Sequence, residues 1–176
     1  MNKDLSILVE KLREQSITNR DWEYIFKSPL TIEYLSQSIH LGIFIEPYLS
    51  LIIEGKKTIE SRFSINRCAP YRKVRKNDII LLKRSGGAII GMCQVSQVWS
   101  YVLDKAYWEE IQNVHSKALC INNPDFWDQK KKSNYATLMK LSNIHLFETP
   151  IVFPKSDRRG WVVIHYSDNN QTKINF

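Results

Sequence analysis

The spacing of apolar positions along the chain changes character near residue 40. Before it, Leu5, Leu8, Val9 and Leu12 recur at i, i+3, i+4 and i+7, one face of an α-helix. Thr18 followed by Asp21 reads as a capping-box-like start, with Trp22, Ile25 and Phe26 as the apolar face of a second helix. Ser28-Pro29, an N-cap followed by proline at the first helical position, predicts a third short helix over 29–38. After it, Leu41-Gly42-Ile43-Phe44-Ile45 is a short apolar run of strand type. Pro47 opens a helix with Leu49, Ile52 and Ile53 inward, and Gly55 stops it in the C′ position.

Residues 57–63 alternate, placing Thr58, Glu60 and Arg62 on one face and Ile59, Ser61 and Phe63 on the other. A loop over 64–78 contains Pro70. A strand over 79–83, a turn at Ser85-Gly86-Gly87 and a long return strand over 88–99 form a hairpin. Asp104 caps a helix running to about 119, and Asn123-Pro124 starts a shorter one through 132. Strands over 137–141, 144–147 and 161–166 close the pattern. This order predicts an α+β domain over 40–167, its five or six short strands curled into a small β-barrel with flanking helices. A helical extension over 1–39 precedes it and a polar tail over 168–176 follows. Trp22, Phe26 and Leu35 would be exposed unless the extension packs on the barrel, so a helical cap is expected; a docking arm for a protein partner is the alternative.

Charge sharpens this picture. The chain of 176 residues carries a formal +7, and the excess is local. Residues 55–84 hold ten basic groups against Glu60 and Asp78, whereas the rest nearly balances. Such a segment suits a phosphate-bearing partner, or is a solvated basic loop. Five Trp and eight Tyr offer faces on which bases stack; Trp161, leading an apolar strand, reads as core. Lys130-Lys131-Lys132 reads as a solvated helix end, with a phosphate contact as the alternative. Cys68, Cys93 and Cys120 form no CxxC pair, and no His or Cys pair has zinc spacing, so neither a disulfide framework nor a metal site is expected. The cysteine pattern suits a reducing cytoplasm. Walker, GxGxxG and GxSxG motifs are absent and no cofactor is implied. No apolar run approaches the ~20 residues of a membrane span.

The run Pro47-Tyr48-x-x-Leu51-Ile52-x-x-Gly55-Lys56-Lys57-Thr58-Ile59-Glu60-x-Arg62 resembles the signature of the ASCH domain family, in the PUA-like superfamily of small β-barrels. Asp78-Ile79-Ile80-Leu81-Leu82 with Ser85-Gly86-Gly87 and Ile89-Ile90-Gly91 resembles its second hairpin, and Arg159-Gly160-Trp161-Val162-Val163-Ile164 its closing strand. The resemblance covers about 41–166 and implies a barrel that handles RNA or modified nucleotides. It also implies a choice between a binding module and a small hydrolase acting on a modified nucleoside, as in N4-acetylcytidine amidohydrolases, or on RNA phosphodiesters. In the amidohydrolase type the catalytic lysine falls at Lys57, and the position of the threonine nucleophile is Glu60 here.

The expected site therefore has Tyr48 lining a cleft, with Lys56, Lys57, Thr58, Glu60 and Arg62 at the helix–strand junction. Arg72, Lys73, Arg75, Lys76 and Arg84 edge it with positive charge. If the protein is an enzyme, Lys57 with Glu60 as base would be catalytic; otherwise Lys57, Glu60 and Arg62 are a nucleotide-binding group or a surface ion pair. Lys57, just beyond a glycine-ended helix, is expected to be solvent-accessible.

Overall fold

The computed structural model describes residues 3–27, 35–154 and 158–167. Among these, helices α1 (Lys3–Ser16) and α2 (Arg20–Phe26) precede strand β1 (Ile39–Phe44), helix α3 (Tyr48–Ile53) and strand β2 (Ile59–Ser64). Strands β3 (Ile79–Arg84) and β4 (Ile89–Val102) form the hairpin. Helix α4 (Lys105–Glu110) continues through a π-helical segment (Ile111–His115) into α5 (Ser116–Leu119). Helix α6 (Pro124–Lys130) and strands β5 (Tyr135–Ile151) and β6 (Trp161–His165) complete the order.

The six strands form one sheet in the order β2-β5-β4-β3-β1-β6. Every pairing is antiparallel except β1 with β3. The sheet curls into a half-barrel, and a side chain ties its two edges. Arg62 on edge strand β2 donates from Nη2 to the Ile43 carbonyl at 2.9 Å and from Nη1 to the Gly160 carbonyl, just before edge strand β6, at 3.2 Å. The barrel thus closes at this seam through a guanidinium rather than a ladder.

Both faces of the sheet are covered, which explains the unbroken apolar run at 79–82. Ile79 and Leu81 join Ile39 and Leu41 beneath Leu8, Leu12, Trp22 and Phe26 of α1 and α2. Ile80 and Leu82 point the other way, into the barrel interior with Phe44, Leu49, Ile52, Met139 and Trp161. A strand buried on both faces loses its alternation. A third cluster packs Ile59, Tyr101 and Leu138 against Ile111, Leu119 and Ile121. On β2, therefore, Ile59 faces the helices and Glu60 faces the seam.

Several boundaries differ from the sequence reading. Leu35–Ser38 are not helical, and the rest of the expected third helix lies outside the described residues. The cap of α2 is Asn19, whose Oδ1 accepts from the amides of Asp21 at 3.1 Å and Trp22 at 3.4 Å; Thr18 is one residue too early. The two strands expected over 137–147 are one, bent where Asn143 takes φ 49°. The expected polar tail over 168–176 is outside the described residues. No helix among them is long and apolar enough to cross a membrane.

Candidate functional site

The seam opens into a cleft of about 240 Å³ between the end of β1, the start of α3, β2 and α6. Its floor is built by the α3–β2 junction. Gly55 takes φ +70°, a conformation that resists a side chain, and ends α3. The amides of Lys56 and Lys57 then both bond the Leu51 carbonyl at 2.9 Å, so the chain turns sharply into β2.

That turn sends Lys57 inward, and it is 2% exposed; the expected solvent-accessible lysine is corrected. Its burial comes from the C-terminal end of α5, 62 positions along the chain. Lys57 Nζ donates to the carbonyls of Ile59 at 2.8 Å and Leu119 at 3.0 Å. It also lies 3.5 Å from Glu60 Oε2 and 5.4 Å from the Tyr48 ring centroid. An ammonium has three protons, and three acceptors surround this one. Burial pushes the Lys57 amine below its ordinary value, with Glu60 opposing.

Glu60 is buried at 5% exposure between two cations. Its Oε1 lies 2.8 Å from Arg62 Nε, an ion pair that falls short of hydrogen-bond alignment. The Arg62 guanidinium also lies over the rings of Phe44, at 5.0 Å, and Trp161, at 5.2 Å. Gly42 makes room for this packing, because a Cβ there would come within 2.6 Å of the Phe44 ring.

Trp161 is held in turn. Its indole Nε1–H donates to His40 Nδ1 at 3.2 Å, so the other imidazole nitrogen carries the proton and donates to Asp78 Oδ2 at 3.0 Å. Asp78 also accepts from the amides of Ser38 and Arg75. A continuous set of contacts thus runs from the basic loop through Asp78, His40, Trp161 and Arg62 to Glu60.

The walls are aromatic. Phe63 stacks on Trp108 with centroids 5.3 Å apart and planes 3° from parallel. It meets Phe126 and Trp127 edge-on at 5.9 and 6.3 Å, and Tyr48 meets Phe126 at 6.4 Å. Lys130 sits over Phe126 at 5.6 Å and joins the cleft lining.

Of the expected residues, the cleft gathers Tyr48, Lys57, Glu60 and Arg62. Lys56, Thr58, Arg72, Lys73, Arg75, Lys76 and Arg84 are not among its lining residues. Lys56 is an exposed partner of Glu54. Arg84 pairs with Glu46, whose carboxyl Ser50, and then Arg84, hold below its ordinary value at the start of α3. Lys73 lies over the ring of Tyr166 and Arg72 over that of Tyr71. Sequence reasoning missed Phe63, Phe126 and Lys130 as lining residues, and His40 and Asp78 as the support of Trp161. Phe63 carried a signal, since it follows Arg62 on the signature strand.

The model of the ASCH domain matches residues 43–150, and the chain belongs to that family, which is PUA-like and associated with RNA. The structure is similar to the crystal structure of the ASCH protein from Zymomonas mobilis, at 14% identity and TM-score 0.51 over 72% of this chain and 87% of that one. It is also similar to a serine-to-alanine variant of the same protein, at 12% identity and TM-score 0.56 over 74% of this chain and 90% of that one. No curated protein matches in sequence.

Proposed function

We propose that this protein binds RNA, or a modified nucleotide within it, by drawing one base into the seam cleft while phosphates lie along exposed cations of the 55–84 segment and Lys130. The observation that carries this reading is the build of the cleft. A buried charged floor is walled by Tyr48, Phe63 and Phe126, which suits a planar group with a polar edge. The volume of about 240 Å³ lies below the ~300–1,000 Å³ of sites for larger ligands and fits one base. Binding to a short single-stranded RNA, measured against salt, tests it. Four or five phosphate contacts give a log–log slope of about −3; a flat response would remove the phosphate part.

A second reading, hydrolysis of a modified nucleoside, is favoured by the lowered basicity of the Lys57 amine beside Glu60. Incubation with modified nucleosides, followed by mass spectrometry, separates the two: a product lost in Glu60→Gln supports the hydrolase. We read α1 and α2 as a structural cap, because Trp22 and Phe26 are buried in a cluster shared with β1 and β3.

A further inference from the structure

The cleft floor carries an ordered set of hydrogen-bonding groups, and their order selects a ligand edge. The Glu60 carboxylate has about four lone-pair positions. Lys57 approaches one oxygen and Arg62 the other. At least one position on each oxygen remains, so the cleft has two adjacent acceptors. On the Oε1 side stands the Arg62 guanidinium, with five N–H bonds, of which one points to the Ile43 carbonyl and one to the Gly160 carbonyl. Along the floor the sequence is donor, acceptor, acceptor.

This floor is a poor phosphate site. Both cations already face the carboxylate, and Lys57 directs its other donors to backbone carbonyls. A phosphate entering here would meet Glu60. The groups instead complement a neutral edge that reads acceptor, donor, donor.

Among the four common bases, one presents that edge. Guanine offers O6, N1–H and the 2-amino group in a row. We propose, resting on the base-binding reading above, that the cleft is selective for guanine. Glu60 accepts from N1–H and the 2-amino group, Arg62 donates to O6, and Tyr48, Phe63 and Phe126 enclose the ring. Adenine and cytosine present one amino donor beside a ring acceptor, so one carboxylate oxygen meets a lone pair. Uracil presents one N–H between two carbonyls, so it too sets a lone pair against one carboxylate oxygen. Glu60 is thus a specificity-determining residue, and Lys57 and Arg62 hold its carboxylate in place.

The test uses the full chain and five heptamer RNAs, uridine throughout except for a central guanosine, inosine, adenosine, cytidine or uridine, with affinity read by fluorescence anisotropy. The guanosine RNA should bind roughly 5- to 150-fold tighter than the adenosine, cytidine and uridine RNAs, the range of one bidentate pair. Inosine, which lacks the 2-amino group, should fall between. Equal binding of all five overturns guanine selectivity and leaves RNA binding standing. Preference for another base overturns it as well, and failure of every RNA to bind overturns both readings. Glu60→Gln should collapse the guanosine preference to within about threefold while retaining phosphate-driven affinity, by the loss of one acceptor. Should that variant not fold, the guanosine–inosine comparison on the native chain decides alone.

Discussion

Replacing Lys57 with Met tests whether the floor of the cleft is the buried ion network described above. The stem of Lys57 is packed and its ammonium faces three acceptors, so the substitution strands charge and dipoles together. Glu60 keeps only Arg62, and the Ile59 and Leu119 carbonyls lose a donor. Removing one partner of a buried pair costs about 3–5 kcal/mol, against roughly 0–1 kcal/mol for an exposed pair. For a chain of this size that is a fall in Tm of about 6–20 °C. Urea unfolding followed by tryptophan fluorescence, with thermal melts by circular dichroism, measures both. The double replacement Lys57→Met with Glu60→Gln should recover more than half of the loss, because it removes the buried carboxylate whose Oε2 has lost its cation. A single-variant loss under about 0.5 kcal/mol, the scale of ordinary surface changes, would refute the burial argument.

Three further outcomes follow from the geometry. Trp22→Ala should cost about 3–5 kcal/mol in urea unfolding, since the ring is 1% exposed and its indole bonds the Asn143 carbonyl at 3.1 Å; a loss below about 0.5 kcal/mol, the scale of a surface change, would make the helical cap dispensable. Replacing Arg72, Lys73, Arg75 and Lys76 together by Gln should flatten the salt dependence of RNA binding by about 0.7 for each phosphate no longer neutralised, with the thermal melt little changed; an unaltered slope would place the phosphates elsewhere. The Lys57 amine titrates below its ordinary 10.5 in the fold, so between its folded and unfolded values the unfolded chain holds more protons and stability rises with pH. The native chain should therefore gain stability over Lys57→Met as pH climbs through that alkaline window, and a narrowing gap in paired urea titrations would contradict the shift.

The sequence carried the fold further than the site. Period-2 parity put Glu60 and Arg62 on one face and Ile59 and Phe63 on the other, and the register of β2 on β5 agrees, with Glu60 opposite Met139 and Arg62 opposite Thr137. Gly55 and Pro47 punctuated α3 because backbone conformation at a helix end is a local property. The exposure of Lys57 was illegible, since it depends on a carbonyl 62 positions away that no local pattern encodes. The division of the basic segment was illegible for the same reason: charge along a chain says nothing of which cations the turns send inward. The break at Ser142-Asn143 looked like a strand end, because a left-handed residue interrupts the alternation while the ladder with β4 continues past a register shift.

A backbone-amide NMR titration of the full chain with the guanosine-centred heptamer shows whether ligand enters the seam. The largest shift changes should fall on 43–48, 57–63 and 121–130, the segments that line the cleft. Changes confined to the hollow around Tyr24, Gln94 and Asn143, or none in the seam at saturation, would contradict entry at the seam.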